Sequence, residues 1–271
     1  MTVGPQRFSV LALLYLVTNA RIGSGDKRRR VQRVMTRPER QAITDVIERL
    51  PMTVAAWSDG LAGLDPLHVV EVRRQLTSLS SSGEGRWWAG PRDCREELAE
   101  LAEEPRYDSV FVLWPSAPDV PLCGWGCTVG PSGATFGAGF TSIASDHWET
   151  LLTDRDPEQG YVHEWLHQVE AVYRGLGITE GELPPLHDAA AFTSTRQSVE
   201  PPFGRSCAEY HDGTGADGAA GGGAGPNLPP AKTWAPWYRD WMTGRLRRLD
   251  ATDPDLAPIG LTPERWGLRS R

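Results

Sequence analysis

Residues 160–177 read GYVHEWLHQVEAVYRGLG, and the fold turns on how that stretch is read. Val162, Trp165, Leu166, Val169 and Val172 recur at helical spacing, and Gly175 and Gly177 close the segment, so it predicts a largely buried helix. On that helix His163 and His167 lie one turn apart on one face, where two imidazole nitrogens can reach a common metal ion. Glu164 sits beside that face, placed to take a proton from water without joining the coordination. Zinc lowers the pKa of its bound water to about 7 and polarises a carbonyl, so the three residue types together make a hydrolytic site. An accidental H-E-x-x-H arises in roughly one chain per hundred of this composition. Two histidines and a glutamate in a core are also costly without a partner. The expected cofactor is therefore Zn2+.

HEWLH, preceded by a strand-rich half with a glycine-containing stretch, resembles the zincin superfamily of zinc metallopeptidases. The resemblance implies an α+β fold in which a mixed sheet lies over an active-site helix, with His163 and His167 as zinc ligands and Glu164 as the catalytic residue. It also implies an edge strand that aligns peptide substrate, expected here near Ala134, Phe136 and Thr141. The metzincin extension would require Gly at 170 and His at 173, and this chain has Glu170 and Tyr173, which excludes that subgroup. Glu170 lies a further turn along the histidine face and is a candidate partner for a ligating histidine.

A catalytic zinc takes a third protein ligand and keeps one position open. Downstream candidates are Glu180, Glu182, His187, Asp188, Glu209, His211 and Asp212. PPLHDAAAF comes about twenty residues after His167, enough chain to leave the helix and return. His187 is favoured, then Asp188, then the EYHDG group with His211. Tyr210 or His211 is a candidate hydrogen-bond donor to a tetrahedral oxyanion.

The rest of the chain supplies the frame. TRPERQAITDVIERL carries a capping box, Thr36 with Glu39, ahead of Ala42, Ile43, Val46, Ile47 and Leu50 at helical spacing. The apolar run Phe8 to Val17 is too short to span a bilayer. Its Val, Leu and Tyr content favours a buried strand over a secretory leader, and with it a cytoplasmic protein. HVVEVRRQLTSL and YDSVFVLW read as strands, and DCREELAELAEE reads as a short helix with an aspartate cap. Strand and helix thus alternate through the first 115 residues. The stretch 130–145 holds too many glycines for a central strand and is expected at an edge. TWAPWYRDWMTGRLRRL places Trp234, Trp237, Tyr238, Trp241, Met242 and Leu246 on one helical face, expected to pack into a core. The expected organisation is 1–177, a sheet-and-helix half, followed by 178–271, a helical and irregular subdomain with a glycine-rich low-complexity segment.

Composition limits the partners. The 28 Lys and Arg against 35 Asp and Glu leave a net charge of −7, without the basic footprint of a nucleic-acid or anionic-membrane binder. The basic cluster Lys27 to Arg30 with Arg33 reads as a solvated loop. Cys94, Cys123, Cys127 and Cys207 read as buried thiols or disulfides, since CGWGC has no second pair to complete a zinc site. Walker-type loops and the G-x-S-x-G elbow are missing. The expected activity is cleavage of an amide bond in a peptide or protein substrate, with two rivals. One is the same scaffold acting on a small molecule or biosynthetic intermediate; the other is a binding protein whose zinc only staples the helix to the following loop.

Overall fold

The computed structural model describes residues 4–23, 25, 28–81, 87–101, 107–117, 125–128, 138–144, 157–186, 192–194, 235–248 and 258–270. Its centre is a five-stranded sheet of order β4-β1-β7-β9-β8, where β1 is Gln6–Tyr15, β4 Ala62–Val72, β7 Ser109–Trp114, β8 Trp125–Thr128 and β9 Gly139–Ala144. Four strands run parallel, and β8 pairs antiparallel with β9 at one edge; β5 (Ser80–Ser81) and β6 (Trp87–Trp88) form a separate antiparallel pair. The sheet is mixed, as expected. The helices, however, alternate with its strands and are not set apart from it, so the architecture is mixed α/β.

The apolar run Phe8 to Val17 supplies β1, inside the sheet, and both of its faces are buried. Val10, Ala12 and Leu14 point into one core, Leu11, Leu13 and Tyr15 into the other. A strand covered on both sides has no polar alternation to show, which is why the run reads as continuously hydrophobic. On the first face lie helices α1 (Arg37–Trp57), α3 (Gln159–Gly175), α4 (Ala235–Thr243) and α5 (Pro263–Trp266). On the second face lie helix α2 (Arg95–Leu101), with Leu98, and the hairpin of β2 (Val17–Ile22) and β3 (Arg29–Val34), with Ala20, Ile22 and Val31.

The Thr36 and Glu39 capping box forms as expected, each side chain accepting from the other's backbone N–H. The helix that this box opens extends beyond the quoted stretch. It runs through Pro51 to Trp57, because Val54 and Trp57 continue its buried face and that burial, about 1.5–3 kcal/mol per large side chain, offsets the bond that proline cannot donate. Asp93 does not cap α2 as expected. Its carboxylate accepts from Ser78 Oγ, Ser80 Oγ and the Gly90 amide, tying the preceding loop instead. Cys94 beside it is a buried free thiol.

The boundary expected at Gly177 falls at a helix end, where that glycine has φ +95°. The elements beyond it share the first core: Trp237, Tyr238, Trp241 and Trp266 pack with Phe8, Trp165 and Val169. The tryptophan stripe is core, as expected, but its helix is short. Gly244, at φ +70°, ends it, and Leu246 lies in β11 (Leu246–Arg248), paired with β10 (Phe192–Ser194). Trp234 lies outside the described residues. Among the described residues, no helix is long and apolar enough to cross a membrane.

Candidate metal centre

Helix α3 packs against β8 and β9, and Gln168 ties it to β7 and β9. Its Oε1 accepts from Ser109 Oγ at 2.6 Å, its Nε2 donates to Thr141 Oγ1, and Thr141 Oγ1 in turn reaches the Glu164 carbonyl at 3.4 Å. The sheet leaves room for this by having no side chain at Gly139, where a Cβ would stand 2.1 Å from Gln168 Oε1. A polar residue on the buried face between Trp165 and Val172 was the sequence signal for such an anchor, since a buried amide requires partners.

On the other side of the helix, the His163 and His167 Nε2 atoms stand 3.2 Å apart, their rings nearly perpendicular at 84°. Each ring turns its Nδ1 outward to an oxygen. His163 Nδ1 is 2.9 Å from Tyr238 Oη, and His167 Nδ1 is 3.8 Å from Glu170 Oε2. With both ring protons on Nδ1, both Nε2 lone pairs face one point. At metal–nitrogen bonds of about 2.05 Å, a separation of 3.2 Å subtends about 103°, close to tetrahedral. His163 is buried at 4% exposure, while Glu164 is half-buried, beside the pair.

Glu170 also holds the loop that follows. Its Oε2 accepts the Leu186 amide at 3.3 Å and its Oε1 accepts Arg174 Nη2 at 3.4 Å. Burial pushes its carboxyl above the ordinary glutamate range against those bonds. From α4, Trp241 Nε1 donates to the Pro184 carbonyl at 2.9 Å. The chain leading to His187 is thus anchored at Pro184 and Leu186 beside the histidine pair.

His187, Asp188, Tyr210, His211, Ala134 and Phe136 lie outside the described residues. Among the described residues, no group of three His, Cys, Asp or Glu side chains is arranged to hold a metal. Thr141 is described, and it corrects one expectation. It is buried within β9, which is paired on both sides, so the edge next to α3 is β8 and not the stretch around Thr141. Periodicity cannot show that a short strand from 125–128 adds outside β9.

Tyr238 was read only as part of an apolar stripe. Its hydroxyl was the available signal, since a buried tyrosine finds a partner for its O–H. A cavity of about 240 Å³ lies on the opposite side of α3, among Phe8, Trp165, Val169, Val172 and Arg269, and none of His163, Glu164 or His167 lines it. No protein-family model, curated protein or solved structure matches the chain.

Proposed function

We propose that this protein is a zinc-dependent hydrolase of the zincin type that cleaves amide bonds in peptides or proteins. One observation carries the reading: two imidazoles on one helix face bring their Nε2 atoms to 3.2 Å while an oxygen stands outside each Nδ1. That donor set suits Zn2+, which is bound by neutral imidazoles whose other nitrogen is held by an outer partner.

In this reading His163 and His167 are ligands, and His187 is the third, because Glu170 and Trp241 anchor the two residues of its loop on either side of Pro185. Zinc, when bound, supplies a nucleophile at neutral pH and polarises the scissile carbonyl. Glu164 takes the proton of the attacking water and passes it to the leaving nitrogen. Gln168 keeps the helix in register with the sheet, so that β8, the antiparallel edge, is the strand on which an extended substrate adds.

Elemental analysis of the purified protein tests this. About one zinc per chain is expected, lost in His163→Ala and His167→Ala. A folded wild-type protein that takes up no zinc would overturn the proposal.

A further inference from the structure

We propose that the cavity on the far side of α3 from the histidines binds a small, uncharged and mainly apolar molecule that carries one hydrogen-bond acceptor, such as a carbonyl oxygen. The inference is independent of the zinc reading. The cavity lies at the end of the sheet from which β1, β7 and β9 start, with Phe8, Asp108 and Gly139 in its wall. Its volume of about 240 Å³ exceeds the roughly 150 Å³ that holds a benzene ring in a dry protein interior, so a ring with a short substituent fits. The walls are already fixed. Phe8 stands edge-on to Trp165, ring centroids 5.2 Å apart, and has the Arg269 guanidinium over its face at 4.1 Å. Gln168, also in the wall, is held by Ser109 and Thr141 through both polar atoms of its amide. A site preorganised in this way gives up little freedom on binding.

The polar groups of the wall decide the class of ligand. The Asp108 carboxylate is fully engaged: Oδ2 accepts the Ser9 amide at 2.8 Å and Ser9 Oγ at 2.9 Å, and Oδ1 accepts Arg269 Nη2. That ion pair cancels the two charged side chains of the described wall, so a charged ligand would meet no spare counter-charge. Trp165 differs. It is buried at 1% exposure, and its Nε1–H has no acceptor among the described residues. Of the described side chains in this wall, it alone leaves a buried polar atom unmatched. A buried donor without a partner costs free energy that a ligand oxygen recovers. Apolar walls, a cancelled charge and one spare donor together select a neutral molecule bearing an acceptor.

The test titrates the full-length protein, as purified, with acetophenone, ethylbenzene and phenylacetate, and follows the tryptophan indole N–H signals by proton–nitrogen spectroscopy. The Trp165 signal is identified by its loss in Trp165→Phe or, should that variant not fold, by its Overhauser contacts to Phe8 and Val169. Acetophenone should move that signal saturably. Ethylbenzene, with the same shape and no oxygen, should bind about 10-fold more weakly, and phenylacetate should not saturate over the same range. Val172→Phe, at the partly buried rim of the wall, fills the cavity while keeping the indole, and should abolish the saturable shift. The proposal is overturned if acetophenone gives no saturable shift at Trp165, or if ethylbenzene or phenylacetate binds as well as acetophenone. A folded Val172→Phe that binds acetophenone like the wild type overturns it too. A protein that takes up no zinc leaves it standing.

Discussion

Two polar clusters sit on opposite faces of the central sheet, and they are built to opposite ends. On the α2 side, Tyr15 Oη donates to Glu97 at 2.6 Å, and Arg74 closes on the same carboxylate through Nε at 2.9 Å and Nη2 at 2.6 Å. Burial alone would raise the Glu97 carboxyl, but the bonds from Arg74 and Tyr15 outweigh it and hold the group below the ordinary range. Burial also pushes the Tyr15 hydroxyl and the Cys94 thiol up, so both stay neutral. Donors and acceptors there match one another. On the α3 side, two imidazole nitrogens meet at 3.2 Å, and burial raises the carboxyl of Glu170, one turn along their face. The first cluster satisfies itself and stabilises the fold, while the second is the one on which the zinc proposal rests.

The sharpest way to break this comparison is to delete one carboxylate from each side. Glu164→Gln should lower amide hydrolysis about 10²- to 10⁴-fold, the usual contribution of a general base, with zinc content and unfolding midpoint unchanged. Activity assays beside elemental analysis check it, and undiminished cleavage would remove Glu164 from the chemistry. Glu97→Gln should do the reverse. It replaces the charged acceptor that Arg74 and Tyr15 share with an amide whose single oxygen cannot serve both, and should cost about 3 kcal/mol, near the low end for a broken buried pair because Arg74 keeps some water. Zinc binding should be unaffected; urea unfolding reads the loss.

Acidity extends the second arm. Since the folded-state pKa of Glu97 is lowered, its stabilisation is present above the unfolded glutamate value of about 4.3 and is lost as pH falls through the depressed folded value. Urea-unfolding free energies measured below about pH 4.5 should therefore fall more steeply with acid in the wild type than in Glu97→Gln. Parallel curves would mean that the fold does not lower the Glu97 pKa.

What the sequence disclosed follows from the range of each interaction. The Thr36 box, the β1 run and the helix that carries His163 and His167 are local patterns, set within a turn or along a single element, and each forms as read. The misreadings all depend on remote partners. Thr141 looked like an edge residue because nothing within its own stretch announces that β8 lies outside it. Tyr238 looked like one more apolar residue because its partner, His163, is 75 positions away. For the same reason the sequence leaves the proposed third ligand open, since at least four downstream groups have the right chemistry.

Smaller effects separate the helix that carries the candidate site from the helix that only covers the sheet. In Gly139→Ala, the new Cβ meets Gln168 2.1 Å away, and that side chain cannot swing aside without giving up Ser109 and Thr141. Overpacking of this kind costs about 2 kcal/mol. Because Gln168 is one residue past His167, zinc affinity should fall along with stability. Thr36→Ala removes the cap of α1 and should cost about 1 kcal/mol, with zinc affinity unchanged because α1 bears none of the proposed ligands. Chelator competition and urea unfolding on the two variants therefore distinguish a site carried by the α3 anchor from one that merely tracks global stability. If both variants lose zinc in proportion to their lost stability, the Gln168 anchor has no special role, and the register of α3 against the sheet is set by its apolar face alone.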